Sequence, residues 1–184
     1  MPGPVFLESN TVTLRPVEQE DIEFIQRVMN DPSVWRPALD INPMNGNLAA
    51  AFFEDVLTTE RDVHCLVCHD DDPVGLISVS ESQYGPTDTF RARSAELAYW
   101  IAPEHHGKGY GSEAAATIVE YAFTDRNLRR LSAHVGDFND ASIALLESLG
   151  FTHEGTQRET AWYQGEYFDM HWYGLLRSEW QHNE

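Results

Sequence analysis

The chain has 184 residues, of which 42% are hydrophobic and 11% aromatic, enough to bury one sizeable core. Thirty acidic side chains against twelve basic ones give a formal net charge of -18, which disfavours nucleic acid and anionic membranes as partners. No apolar run reaches the length of a membrane span, and residues 1–5 lack the features of a signal peptide. The sequence therefore predicts one cytoplasmic domain over residues 1–184.

The acidic residues are spread along the chain, and Lys108 is the only lysine. This composition is typical of a halophilic protein, because a salt-rich cytosol screens the self-repulsion of such a surface. An ordinary acidic surface is the alternative, and part of the charge would also attract a cationic substrate. Composition alone leaves these interpretations open.

Hydrophobic periodicity, punctuated by glycine, proline and aspartate, predicts the secondary structure. In chain order the elements are a strand over residues 11–15, helices over 18–30 and 48–60, strands over 63–68, 74–79 and 94–101, a helix over 112–123, a strand over 131–135, a helix over 141–149, and strands over 152–159 and 167–176. Residues 35–46 are predicted as an irregular loop and residues 82–93 as a polar excursion. This order of strands and helices predicts an α/β fold whose mixed sheet carries helices on its faces.

Helix faces and ends follow from the same pattern. The helix over residues 48–60 has an apolar side made of Ala51, Phe52, Val56 and Leu57. The helix over residues 112–123 buries Ala115, Ile118, Val119 and Ala122. Pro32 is read as a stop for the first helix, and Gly150 closes the helix over residues 141–149.

Two local patterns suggest a metal site. Residues 64–69 contain Cys-x-x-Cys-His, the spacing of a haem attachment or of half a zinc site. Residues three apart on a strand point to opposite faces, so a buried strand without metal is predicted instead. The three aspartates at residues 70–72 fit no EF-hand spacing and predict a solvated turn.

Gly107, Gly109 and Gly111 alternate directly before a helix. Their unobstructed N–H groups, together with the helix dipole, favour a phosphate at this point. The spacing is neither Gly-x-Gly-x-x-Gly nor Gly-x4-Gly-Lys-Ser/Thr. A pyrophosphate that is not part of a hydrolysed triphosphate is therefore predicted.

Residues 99–103 followed by residues 107–114 resemble the acetyl-CoA pyrophosphate loop of the GNAT superfamily of N-acetyltransferases. Residues 139–155 resemble the second common motif of that superfamily. The C-terminal run from Gly165 to Trp180 is similar to the RimJ/RimL branch, which acetylates the N-terminal amine of ribosomal proteins. His106 departs from this pattern, because relatives carry Arg or Gln at the start of the loop signature.

The resemblance implies a central, mostly antiparallel sheet with helices on both faces, splayed between the strands that carry Tyr99 and His134. It implies acetyl-CoA as cosubstrate, no metal, and a monomer or homodimer that acetylates a primary amine, the N-terminal α-amine of a ribosomal protein. A small-molecule amine such as an amino acid, polyamine or aminoglycoside is the alternative acceptor. A non-catalytic acyl-CoA binding domain is a further alternative.

The resemblance assigns acetyl-CoA to one set of residues. The cofactor-binding residues are Trp100, Ile101, Ala102, His106, Gly107, Lys108, Gly109, Tyr110, Gly111, Ser112, Asn139 and Ser142. In this set the loop N–H groups cradle the pyrophosphate, and Lys108 adds charge unless it is merely solvated. The strand end at residues 100–102 pairs with the pantetheine arm and offers free N–H groups to the thioester oxygen.

Two residues are predicted to be catalytic. Glu96 lies alone on a half-apolar strand as the general base, unless it is a solvent-facing glutamate, with His134 as the fallback. Relatives often carry a tyrosine as the acid in the helix over residues 141–149, but Leu146 takes that place here. Ser142 is the predicted thiolate stabiliser, and Tyr163 and Tyr167 are its rivals.

Aromatic residues are the candidates for the acceptor groove. They are Trp35, Tyr84 and Tyr163, with Trp162 beside them. Core packing would explain any one of these side chains equally well. Asn139, finally, is predicted as the N-cap of its helix as well as a cofactor contact.

Overall fold

A computed structural model describes residues 3–38, 42–81 and 93–180. Its strands are β1 (Leu7–Glu8), β2 (Thr13–Pro16), β3 (Val63–His69), β4 (Asp72–Glu81), β5 (Ser94–Ile101), β6 (Arg130–Gly136), β7 (Thr152–Tyr163) and β8 (Glu166–Leu176). Its α-helices are α1 (Ile22–Met29), α2 (Pro32–Ala38), α3 (Gly46–Phe52), α4 (Tyr110–Thr124) and α5 (Asp140–Ser148). The strands follow the order β1-β2-β3-β4-β5-β6-β8-β7 in one sheet. The predicted mixed α/β fold is confirmed.

The chain forms two compact units. One unit contains Met1–Ser80 with Ala98–Ile118, and the other contains Glu81–Leu97 with Val119–Glu184. The first unit carries β1 to β4 and the end of β5, and the second carries the start of β5 with β6, β8 and β7. No helix among the described residues is long and apolar enough to cross a membrane.

In the first unit, β1, β2, β3 and β4 pair antiparallel in succession. The β3–β4 hairpin turns at Asp70 and Asp71, which both have positive φ, and the Asp71 carboxylate pairs with Arg15. The predicted strand pair and its turn are therefore confirmed. Cys65 and Cys68 are buried free thiols on β3, and burial raises the pKa of each to about 12. Among the described residues, no three His, Cys, Asp or Glu side chains are grouped so that they could hold a metal ion.

Helix α2 corrects the prediction of an irregular loop from residue 35. The Asp31 carboxylate accepts hydrogen bonds from the Ser33 backbone N–H at 2.8 Å and from its hydroxyl at 2.5 Å. Pro32 stands at the first helical position, where its missing N–H costs nothing. Residues 31–33 thus start helix α2, although the sequence predicts only the end of the preceding helix at this point.

Helix α3 was predicted to continue in regular form to residue 60. It changes at Phe53 into a π-helical turn, Phe53–Leu57, in which the Thr58 N–H donates to the Phe53 carbonyl at 3.1 Å. A π turn holds more residues than an α turn, so the side chains after Phe53 depart from regular helical spacing. Ala49 and Leu57 are the buried residues of this segment. Leu57 is buried and Phe52 packs against the same core, as predicted. Ala51 and Val56 are instead exposed, and with Phe52, Leu48 and Met44 they line an open groove of about 320 Å³.

In the second unit, β5 pairs in parallel with β6 over Ser94 to Glu96, opposite Arg130 to Ser132. Strand β6 pairs antiparallel with β8 along its whole length, and β8 pairs antiparallel with β7. Strand β7 runs four residues beyond the predicted end at Glu159, because a register shift between Gln157 and Ala161 interrupts the alternation that the prediction used. The separation of the strands that carry Tyr99 and His134 stays a prediction.

Helices α4 and α5 begin and end within two residues of their predicted bounds, and α4 has the predicted buried face. Helix α4 buries Ala115, Ile118, Val119 and Ala122, each at most 1% exposed. Helix α5 ends in a Schellman motif, in which the Gly150 N–H donates to Glu147 and the Phe151 N–H donates to Leu146, both at 3.0 Å. Gly150 has φ +89°, so its role after the helix end is confirmed.

Candidate active site

The glycine loop lies in the first unit, between β5 and α4. A short 3-10 turn, Pro103–His105, leads to Gly107 and Gly109, whose φ values are +73° and +83°. A Cβ atom added at either glycine would meet nothing within 4 Å. The two glycines are therefore required by the left-handed backbone of the loop and not by crowding inside the protein. Space for a bound group remains beside them.

Helix α4 begins directly after this loop with a glycine as its cap. The Glu113 N–H donates to the Gly109 carbonyl at 3.1 Å, which starts the helical ladder. The N–H groups of Tyr110, Gly111 and Ser112 precede that bond and have no partner within the helix. A glycine cap has no side chain to accept them, so an anion can bind there with support from the helix dipole.

Glu113 is the only acidic residue in the first turn of α4. Its carboxylate accepts hydrogen bonds from the Ser9 hydroxyl at 2.9 Å and from the Thr11 N–H at 3.0 Å. These bonds direct the negative charge of Glu113 toward the N-terminal segment. The donors at the start of α4 are therefore not capped by this carboxylate.

Two basic side chains of the loop have defined contacts. The Lys108 ammonium lies 3.4 Å from His105 Nδ1 and 6.0 Å from the centre of the Tyr110 ring. The His106 ring donates from Nε2 to the Ile101 carbonyl at 2.7 Å. This hydrogen bond from His106, the residue that departs from the family pattern, thus links the glycine loop to the end of β5.

The end of β5 corrects one expectation about free N–H groups. The Ala102 N–H donates to the Val74 carbonyl at 2.8 Å, so it is occupied by the neighbouring strand β4. The backbone carbonyl of Trp100 faces the same edge of β5, toward β4. A Cβ atom added at Gly75 of β4 would lie only 2.4 Å from this carbonyl oxygen. Successive residues of a strand direct their backbone groups to opposite edges. Ile101 and Tyr99 therefore present theirs to the other edge.

In the second unit, Glu96 is not the lone carboxylate that the sequence suggested. Its Oε1 lies 2.7 Å from His134 Nδ1, and the two side chains are 14% and 41% exposed respectively. This hydrogen bond raises the pKa of His134, while partial burial opposes the shift. The His134 ring also stacks at 5.3 Å on Trp172 of β8. The strands thus hold a carboxylate and an imidazole as one pair.

Asn139 and Ser142 meet at the start of α5. Asn139 is the N-cap, and its side-chain oxygen accepts the Ser142 N–H at 3.2 Å, as the prediction for Asn139 required. Ser142 is half-buried, and only its backbone N–H takes part in this cap. Leu146, on the same helix, is buried in the core at 1% exposure.

The Glu96–His134 pair and helix α5 lie on opposite faces of the sheet within the second unit. The Tyr173 hydroxyl donates to Glu147 of α5 at 3.3 Å, so α5 covers the face that carries Tyr173. Ala133 is the partner of Tyr173 in the β6–β8 register, and His134, one residue later, faces the other way. Ser142, on α5, and His134 therefore lie on different faces of the sheet within this unit.

The candidate acceptor residues are scattered. Trp35 belongs to the first unit and lies on α2, where the Arg36 guanidinium stands 5.2 Å from its ring. Tyr84 lies outside the described residues. Tyr163 is the last residue of β7 in the second unit, and beyond the turn Tyr167 is 64% exposed and packs edge-on against Trp162 at 4.7 Å.

An α/β fold with a glycine-capped helix after a glycine loop is an arrangement typical of enzymes that use a phosphate-bearing cosubstrate. The chain belongs to the GNAT acetyltransferase family, because the model of the acetyltransferase (GNAT) domain matches residues 11–152. It is 30% identical over 182 residues to the uncharacterized N-acetyltransferase p20 of Bacillus licheniformis, covering 94% of this chain and 97% of that protein. It is 37% identical over 89 residues to YdaF of Bacillus subtilis strain 168, a candidate ribosomal N-acetyltransferase, covering 48% and 49% of the two chains.

A solved structure agrees with this assignment. The spermidine N-acetyltransferase of Vibrio cholerae in complex with CoA and spermine superposes with a TM-score of 0.81 at 26% identity, over 93% of this chain and 98% of that chain. The protein is therefore an N-acetyltransferase of the GNAT fold that transfers an acetyl group from acetyl-CoA to an amine.

Proposed function

We propose that this enzyme is RimJ/RimL-like and acetylates the N-terminal α-amine of a protein, a ribosomal protein in particular. The relationship to YdaF supports this acceptor class. The net charge of -18 supports it as well, because an acidic surface attracts basic proteins. The observation that carries the chemistry is the Glu96–His134 pair, which provides a proton acceptor for an ammonium group.

A polyamine is the second candidate acceptor. The Vibrio cholerae structure contains spermine, and a polyamine is a small, highly charged cation that the same acidic surface would attract. Both candidates present a primary amine that is mostly protonated at neutral pH. The acceptor must therefore be decided by experiment.

The loop residues are assigned to the cosubstrate. The N–H groups at the start of α4 would hold the pyrophosphate, with Lys108 as an additional charge. The end of β5 at residues 100 and 101 would pair with the amides of the pantetheine arm without the N–H of Ala102, which is bonded to Val74. Bound acetyl-CoA supplies the thioester from which the acetyl group is transferred.

The acceptor class is tested with equal concentrations of peptides that begin with Ser, Ala or Met, and of spermidine, spermine, amino acids and an aminoglycoside. Each peptide has a control whose N-terminus is already acetylated. We expect kcat/KM for the best free-N-terminal peptide to exceed that for spermidine at least tenfold, with mass spectrometry locating the acetyl group on the α-amine. A preference for spermidine would establish the polyamine function instead.

We also propose that the acidic surface is an adaptation to high salt. Screening by KCl should then reduce self-repulsion in the folded state, so Tm and activity should rise from low to molar KCl. Each kcal/mol gained corresponds to about 2–4 °C for a chain of this size. Sucrose at equal osmolality is the control, since it does not screen charge. A Tm that is flat or falls with KCl would contradict the proposal.

A further inference from the structure

The two members of the Glu96–His134 pair are unequally accessible. We infer that His134 is the catalytic base that contacts the acceptor amine, and that Glu96 is a positioning residue that orients the His134 ring. This inference rests on the proposed amine acetylation. The sequence predicts Glu96 as the base and His134 as the fallback, whereas the structure leads us to assign the base to His134.

Accessibility is the first argument. The Glu96 side chain is only 14% exposed, and its Oε1 is engaged by His134 at 2.7 Å. The His134 side chain is 41% exposed. Because an ammonium acceptor arrives from solvent, it meets the imidazole before it meets the carboxylate.

The tautomer is the second argument. An ionised carboxylate accepts hydrogen bonds, so the Nδ1 atom of His134 must carry the hydrogen that lies between it and Glu96. In the neutral imidazole the remaining lone pair is then on Nε2, on the far side of the ring from Glu96. A carboxylate that fixes the tautomer and orientation of a histidine base is the division of labour in a Ser-His-Asp triad.

Three strands fix the geometry of the pair. Glu96 on β5 is opposite Ser132 in the parallel register, which places it beside His134 two residues further along β6. On β8, Trp172 is the direct partner of His134 in the register and stacks on its ring at 5.3 Å. The ring is therefore held between a carboxylate and an indole.

One charged side chain, that of Glu96, is in direct contact with the His134 ring. Glu96 is the charged group from β5, and Trp172 from β8 is neutral. On β6 itself the neighbour on the same face is the neutral Ser132, and Arg130 beyond it is paired with Glu154 of β7. The Glu96 hydrogen bond raises the pKa of His134, so this imidazole is a stronger base than a free one.

The proton balance follows from these positions. His134 Nε2 takes one proton from the acceptor ammonium and later releases it to solvent. The neutral amine forms the C–N bond to the acetyl carbon, the C–S bond breaks, and the second amine proton leaves as the amide forms. One proton reaches the CoA thiolate, and one proton is released overall.

The test compares His134→Asn with Glu96→Gln. An asparagine amide nitrogen can occupy the position of Nδ1 and keep the bond to Glu96, but it has no Nε2 base. We expect His134→Asn to lower kcat/KM by about 10²–10⁴-fold and to abolish the rise of kcat/KM with pH. Glu96→Gln should keep that rise but move it to lower pH, because the pKa of His134 loses the bond that raises it.

Controls separate this inference from the function on which it rests. Thermal melting and acetyl-CoA titration verify folding and cosubstrate binding, and His134→Gln is a second variant if His134→Asn is unstable. NMR titration of the His134 ring in wild type and Glu96→Gln follows its pKa without any acceptor, so it remains readable if no tested amine is acetylated. A greater loss in Glu96→Gln than in His134→Asn, or near wild-type rates in both, would overturn the assignment.

Discussion

Replacing Gly111 with Asp is expected to weaken acetyl-CoA binding about 100-fold without destabilising the fold. Gly111 is the second residue of α4, where its N–H points toward the proposed pyrophosphate. A carboxylate placed there repels the phosphates by about 3 kcal/mol at the dielectric of a protein surface, which corresponds to that loss. The same carboxylate interacts favourably with the helix dipole, so the free energy of unfolding should stay equal or rise by about 0.3–1 kcal/mol.

Gly111→Asn is the matched control, because it has nearly the same shape without the charge. Calorimetric titration with acetyl-CoA and thermal melting of both variants give the two readouts. Opposite directions of affinity and stability in Gly111→Asp distinguish a lost binding site from a damaged helix. Undiminished binding in Gly111→Asp would contradict the placement of the pyrophosphate on α4.

Gly109 is less informative as a test, since its backbone is strained for any other residue at φ +83°. A loss of binding in Gly109→Asp would combine strain with charge. Comparison with Gly109→Asn isolates the charge, because asparagine adopts positive φ about as readily as aspartate.

Lys108→Ala should weaken acetyl-CoA binding only moderately, because the backbone N–H donors of the loop remain.

The parts of the fold that could be predicted are those in which local signals are strong and agree. Strand β5 was predicted with both its ends, since Ser94 follows a polar stretch and Pro103 follows the last strand residues. The buried face of α4 was predicted because small and branched residues recur at helical spacing. Gly150 was predicted as the residue after α5 because only glycine adopts φ +89° without strain.

Other parts depend on signals with two meanings or on distant contacts. Pro32 both ends one helix and begins the next, and the choice depends on the hydrogen bonds between Asp31 and Ser33. The π turn at Phe53 has no signature in hydrophobic periodicity, so the exposed apolar side of α3 could not be foreseen.

The candidate site shows the same division. The glycine loop is contiguous in sequence, and its phosphate chemistry could be inferred from three alternating glycines. The contact between Glu96 and His134 joins residues 38 apart and depends on the parallel register of β5 and β6. Register is set by pairing across the sheet, so the sequence could name both residues but could not place them together. The same holds for the Ala102 N–H, which is occupied by Val74 of β4.

Replacing Ser142 with Ala is expected to lower kcat by about 10²-fold at every pH, if its hydroxyl stabilises the departing thiolate. The N-cap of α5 uses the Ser142 backbone N–H, so the bond to Asn139 survives the substitution. Alanine is also the better helix former, and stability should not fall. A loss of kcat with unchanged Tm would therefore report chemistry and not folding.

The pH profile separates this role from that of the Glu96–His134 pair. Thiolate protonation follows attack by the amine, so the loss in Ser142→Ala should be parallel to the wild-type profile, whereas His134→Asn changes its shape. Kinetics are measured from pH 6 to 9 at saturating acetyl-CoA, with Ser142→Thr as the variant that restores a hydroxyl. Tyr163→Phe and Tyr167→Phe test the rival hydroxyls. Full activity in Ser142→Ala together with a loss in either tyrosine variant would transfer the acid role to that tyrosine.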